Sequence, residues 1–202
     1  MIVVIDYHMG NLGSVMNMFR HIGVEAVLSS DPKVIQQASK LILPGVGAFD
    51  TGMQNLHSLG IVPVLHDKVL NEGTPILGVC LGMQLFGKAS EEGSAEGLGW
   101  IDAVSRRFTP TARLRVPHMG WNTLTLCKSH PLLDTPPPRA RFYFVHSYYV
   151  QVHDPSDVLA ITEYGIPFVS ALAKKNIIGM QFHPEKSLKW GMDVLRKFAA
   201  YA

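Results

Sequence analysis

The chain has 202 residues, of which 47% are hydrophobic and 17% charged, with a formal net charge of +2. That is enough apolar material for one well-cored domain, and it excludes both the basic footprint of a nucleic-acid binder and an acidic tail. The two cysteines, Cys80 and Cys127, lie far apart without CxxC spacing, which argues against a disulfide framework or a cysteine-built zinc site and fits a reducing compartment.

Ile2 to Ile5 reads as a short buried strand, and Asp6 to Asn11 as the turn that follows. It has no basic segment ahead of it and is too short for a signal peptide. No stretch approaches the roughly 20 apolar residues of a membrane span. The expected location is therefore the cytoplasm.

Helical spacing of Leu12, Val15, Met16, Phe19 and Ile22 predicts a helix closed by Gly23. Glu25 to Leu28 is a second strand, and Ser29-Ser30-Asp31-Pro32 turns into a helix from Lys33. Leu41 to Leu43 is a third strand, running straight into Pro44-Gly45-Val46-Gly47. Helices are predicted over about Asp50 to Leu59 and Val62 to Asn71, before the strand Ile76 to Val79. This β-α alternation predicts an α/β protein, a three-layer sandwich around a mostly parallel, flavodoxin-like sheet.

After Gly93 the texture changes to short strands. They are Trp100 to Phe108, Leu124 to Leu126, Phe142 to Val145, Tyr148 to Val152, Val158 to Ile161, Val169 to Ala173 and Ile177 to Met180. These predict antiparallel additions to the sheet, with Pro136-Pro137-Pro138 as the clearest break. A closing helix, Leu188 to Tyr201, carries Trp190, Val194, Leu195 and Phe198 as its apolar stripe. No repeat or low-complexity segment interrupts residues 1–202, which read as a single domain.

The chemistry centres on Gly78-Val79-Cys80-Leu81-Gly82, where a strand turns sharply into a helix with a thiol at the apex. Glycines two residues either side permit such an elbow, and the helix N-terminus favours the thiolate. A plain core cysteine would need neither glycine. His183, in a loop just past the strand Ile177 to Met180, is the candidate base, and Glu185 is placed to hold its tautomer. Amides of the Pro44 to Gly47 turn, Val46 and Gly47, together with Leu81, are candidate oxyanion donors. Read alone, His183 to Glu185 is a surface turn and Pro44 to Gly47 a featureless β-to-α turn. The histidines show no ligand spacing for a metal, and no cofactor motif is present.

Gly-Val-Cys-Leu-Gly-Met-Gln, Pro-Gly-Val-Gly and His-Pro-Glu in this order resemble the class I, triad-type glutamine amidotransferase family. Within it the chain is similar to the branch that serves as glutaminase subunits of imidazole glycerol phosphate synthase. That likeness rests on Asp6-Tyr7 with Gly10-Asn11-Leu12, Pro117 to Asn122, Tyr143 to Tyr148 and His183 to Ser187. His8 departs from the branch, whose members usually carry a smaller residue there. The second and third of those stretches separate the chain from amidotransferases of anthranilate, pyridoxal phosphate or GMP synthesis. The complete set of triad residues separates it from a silent binding module.

The resemblance implies a Cys80, His183, Glu185 triad that hydrolyses glutamine through a thioester. Gly47, Gln84, Glu92, Ser147 and Tyr148 match positions that hold the glutamine. Asn11, Met119, Trp121, Asn122, Tyr143 and Lys186 match positions that face the partner. That partner is a (β/α)8 cyclase subunit in a heterodimer. It receives the ammonia and turns the ribulosyl intermediate PRFAR into imidazole glycerol phosphate and AICAR. The readings that compete with these are a helix-surface Gln84, a loop Glu92 and a core Trp121.

Overall fold

A computed structural model of the chain describes residues 1–110, 114–134 and 139–201; the predicted break at Pro136 to Pro138 lies outside them. The N-terminal half alternates as predicted. In order it runs β1 (Ile2–Ile5), α1 (Leu12–His21), β2 (Ala26–Ser29), α2 (Pro32–Gln36), β3 (Lys40–Gly45), α3 (Phe49–Ser58), α4 (Val62–His66), β4 (Ile76–Cys80) and α5 (Leu81–Leu85). The ends of the first helices follow from local chemistry. Asn11 Oδ1 accepts the Ser14 amide at 3.1 Å, and Asp31 Oδ1 accepts the Lys33 amide at 2.8 Å with Pro32 in the first turn. The sequence predicts one helix from Val62 to Asn71. Instead α4 passes into a π-helical turn over Asp67–Asn71, where Lys68 is buried and bonds Glu72 four residues on.

The second half is strand-rich. It contains β5 (Ala89–Ser90), β6 (Ala103–Arg107), β7 (His118–Asn122), β8 (Thr125–Leu126), β9 (Phe142–His146), β10 (Tyr148–Val152), β11 (Val158–Tyr164), β12 (Ile166–Lys174) and β13 (Ile177–Met180). The last element is α6 (Leu188–Ala200). The strand predicted from Trp100 begins only at Ala103. Trp100 instead packs its ring on Phe86 and donates its indole N–H to His66 Nδ1 at 3.0 Å, so it belongs to the turn. In α6 the buried residues are Gly191, Val194, Leu195 and Phe198, whereas Trp190 is half-buried at the rim.

Nine strands form the path β2-β1-β3-β4-β13-β12-β10-β6-β5, with β11 and β8 branching from β12. The five from β2 to β13 are mutually parallel, and β12, β10 and β6 continue antiparallel. Alternation sorts the core into two layers. Val3, Ile5, Leu41 and Leu43 pack on the side of α3 and α5, and Ile2, Val4 and Ile42 on the side of α1 and α6. β7 and β9 pair as a separate antiparallel ribbon. The order reverses at β1, so loops after β1, β3, β4 and β13 converge on one edge. That is where open α/β sheets hold their sites.

Candidate active site

Cys80 ends β4 and opens α5 with φ +54° and ψ −106°, a positive-φ elbow that a non-glycine residue adopts only under strain. The packing around it requires both flanking glycines. A Cβ on Gly82 would stand 1.8 Å from the Leu43 carbonyl oxygen, and one on Gly78 would stand 2.5 Å from the Phe86 ring. These contacts press β3, β4 and α5 together. Gly45, at the end of β3, pairs directly with Cys80.

The sulfur is buried. It lies 3.9 Å from the Val145 carbonyl oxygen and receives the Gln181 side-chain N–H at 3.6 Å. Behind it His183, on the loop after β13, donates through Nδ1 to Glu185 Oε1 at 2.8 Å, the two side chains being 2% and 5% exposed. That bond leaves Nε2 as the free nitrogen. It is buried, with no hydrogen bond of normal geometry. Burial by itself lowers the imidazole. The interactions with Cys80 and then Glu185 outweigh it and raise His183 to about 10. The contacts with Cys80 and Glu185 thus favour the protonated form of His183.

A cavity of about 310 Å³ opens in front of the sulfur, within the range of small-molecule sites. Val46, Gly47 and Leu81 line it, as do Gln84, Glu92, Ser147 and Tyr148. The residues proposed from sequence for the oxyanion and the glutamine are thus brought to one cavity. Gln84 is not on the helix surface: its amide donates to the Tyr148 carbonyl and to Gln181 Oε1, each at 3.1 Å. Glu92 Oε2 accepts the Phe49 amide at 2.8 Å, capping α3, which has no side-chain cap of its own. Asp50 accepts the Ser94 and Ala95 amides at 3.0 Å and ties the same loop down. A larger cavity, about 560 Å³, lies between α1 and β2, but no nucleophile lines it.

Of the six residues matched to a partner face, Met119 and Trp121 are 62% and 44% exposed on one side of β7. Trp121 meets the Tyr143 ring edge-on at 5.7 Å, and Lys186 Nζ lies 5.6 Å from that ring. Asn122 is half-buried on the other side of β7. Its amide donates inward to the Glu163 carbonyl at 2.9 Å and its Oδ1 accepts the Thr123 amide. Asn11 is exposed but caps α1. Among the described residues no group of three His, Cys, Asp or Glu side chains could hold a metal ion, and no helix is long and apolar enough to cross a membrane.

Three neighbours of the site carry no role in the sequence reading. Gln181 touches the sulfur, and the signal for it is a polar residue immediately after an apolar strand. His146 lines the cavity. Tyr7 is fully buried with its hydroxyl unpartnered against Gly45, and burial, then the nearby Cys80 charge, raises its phenol far above the usual range.

Fold and site together are those of a thiol-bearing class I amidotransferase. The sequence matches the family described as Glutamine amidotransferase class-I over residues 3–201, and the chain belongs to that family. It is 50% identical over 202 residues to imidazole glycerol phosphate synthase subunit HisH 2 of Methanococcus maripaludis, covering 100% of both chains. It is 51% identical over 198 residues to the protein of the same name in Pseudomonas aeruginosa, covering 98% of both. Among solved structures, a glutamine amidotransferase from Thermotoga maritima superposes with a TM-score of 0.65 at 17% identity, over 96% of this chain and 81% of that one.

Proposed function

We propose that the chain is the glutaminase subunit of an imidazole glycerol phosphate synthase, working in histidine biosynthesis in the cytoplasm. The observation that carries the chemistry is the cavity in which the Cys80 elbow faces the expected glutamine contacts, with the His183–Glu185 pair behind it. Identity of about half the sequence, over the full length of two HisH proteins, supports the pathway. The continuous sheet supports reading residues 1–202 as one domain.

In this reading the Cys80 sulfur, its proton transferred to His183 Nε2, attacks the γ-carboxamide carbon of glutamine. Amides of the Val46–Gly47 turn and of Leu81 receive the developing oxyanion. His183 returns its proton to the leaving nitrogen, which departs as ammonia and leaves a glutamyl thioester on Cys80. Water, deprotonated by His183, then releases glutamate. Glu185 keeps Nδ1 as the donor side, so that Nε2 always faces the sulfur. Gln84 uses both amide hydrogens inside the chain, so its Oε1 is the atom left to accept the substrate ammonium. Glu92 Oε1 offers a second acceptor. The ammonia passes to a (β/α)8 cyclase seated on Met119, Trp121 and Tyr143, and the ring-closing chemistry belongs to that partner.

Glutamate release is measured for the chain alone, with the cyclase, and with cyclase plus PRFAR, using Cys80→Ala as the blank. A large rise in the third state is the expected result. Full activity alone contradicts dependence on the cyclase and its ligand, and no activity in any state contradicts the glutaminase reading.

A further inference from the structure

The β7–β9 ribbon has two faces. Its register sets His118 opposite His146 and Trp121 opposite Tyr143. Met119 and Trp121 point outward and are exposed, while His118 and His146 point inward and are buried. The mechanism above uses neither histidine. His118 stacks between the Tyr164 and Phe144 rings, with centroids at 3.9 and 4.8 Å.

The hydrogen bonds of this pair have a forced direction. His146 Nδ1 lies 2.8 Å from the Tyr148 carbonyl oxygen, which can only accept, so Nδ1 carries the hydrogen. Nε2 of His146 is then an acceptor, and His118 Nδ1, 2.9 Å away, must donate to it. Burial lowers both rings, to about 4 for His118 and about 3 for His146, which keeps them neutral and the order fixed. The same Tyr148 carbonyl accepts the Gln84 amide, Gln84 donates to Gln181, and Gln181 donates to the Cys80 sulfur. β9 also touches the site through its backbone. The Val145 carbonyl lies against the sulfur, and the Tyr143 carbonyl accepts the His183 amide at 2.9 Å.

We propose that the His118–His146 pair is a positioning element of the glutaminase site: it clips the ribbon to the Tyr148 carbonyl and, through Gln84 and Gln181, to Cys80. A protein seated on the outer face of β7 thereby sets the geometry of the glutamine pocket on its inner side. This second part rests on the partner reading given above, whereas the clip itself is internal to the chain.

The test follows alkylation of Cys80 by a glutamine-like chloroketone, in the chain alone and with the cyclase bound. Unmodified protein is compared with His118→Phe, which keeps the ring stack but has no N–H, and with His118→Asn, which places an N–H near Nδ1. In the chain alone, His118→Phe raises the half-saturating concentration about fivefold or more, the order of one lost hydrogen bond. His118→Asn stays within about twofold of unmodified protein. Acceleration of labelling by the cyclase shrinks in His118→Phe and returns in His118→Asn. An unchanged half-saturation in His118→Phe overturns the inference, as do equal losses in both variants, which report packing alone. Should His118→Phe not fold, nitrogen NMR of the unmodified chain decides. Nδ1–H tautomers on both rings support the clip, and an Nε2–H tautomer on His146 overturns it. If unmodified protein does not respond to the cyclase, the partner reading fails, and the half-saturation comparison still decides the clip.

Discussion

Gly82 lies inside α5, where helix propensity alone predicts that alanine stabilises the protein by about 1 kcal/mol. The packing predicts the opposite. The new Cβ would stand 1.8 Å from the Leu43 carbonyl oxygen, a backbone atom, and real Cβ atoms essentially never approach within 3.0 Å of a heavy atom. β3 and α5 must therefore move apart until that gap opens. Two residues beyond Leu43, β3 delivers Gly45 beside Cys80 and leads into the Val46–Gly47 turn, while α5 begins with the Leu81 amide. The proposed oxyanion donors sit on both of the elements that must separate. Such donors act only within about 2.7–3.1 Å, and a misplacement of about 1 Å costs about a hundredfold in rate. Gly82→Ala is expected to lower kcat for glutamate release about a hundredfold or more, and to lower stability by about 1–3 kcal/mol through overpacking. Stimulated glutamate release and equilibrium urea unfolding measure the two. A variant within about threefold of unmodified kcat, or one that gains stability, refutes the elbow argument.

Other consequences are more local. Tyr7→Phe removes a buried hydroxyl that has no partner, so the variant gains about 1 kcal/mol in thermal or urea unfolding; a loss of that size shows that the hydroxyl is satisfied after all. His183 is raised above its ordinary value, so its protonated form contributes stability that is complete below about pH 6.5 and is lost as pH rises toward 10. Cys80→Ala removes the first of the interactions that raise it, so the His183 titration moves to lower pH, as histidine NMR will show; an unmoved midpoint contradicts the coupling. Trp121→Ala removes the most exposed aromatic of the ribbon and weakens cyclase binding by about 2 kcal/mol in calorimetry, leaving the fold intact. Unchanged affinity removes β7 from the docking face.

What can be read from the sequence depends on how local the physics is. The parallel strands β1, β3, β4 and β13 are buried on both faces and appear as apolar runs, so each is legible to within a residue or two. β7 is not, because His-Met-Gly-Trp-Asn has neither strict alternation of polarity nor β-branched residues; pairing with β9, some twenty residues later, makes it a strand. Likewise His183 and Glu185 are two residues apart and can be linked on the page, as can Cys80 and its flanking glycines. Gln181 is 101 residues from the sulfur it touches, and His118 is 28 residues from His146. Nothing in either neighbourhood announces the other. The long reach of the sheet brings them together, so only the fold reveals them. Asn122 shows the same limit from the other side. Only the resemblance places it on a partner face, and its hydrogen bond to the Glu163 carbonyl can be read only from the fold.

The proposed covalent chemistry at Cys80 is the step on which everything else depends. The direct measurement is intact-mass analysis of the chain quenched in acid during glutamine turnover with its cyclase, followed by peptide mapping. One glutamyl adduct, located on the peptide bearing Cys80 and absent from Cys80→Ala, is the predicted result. Sustained glutamate release by Cys80→Ala, or an adduct on a different residue, would contradict it.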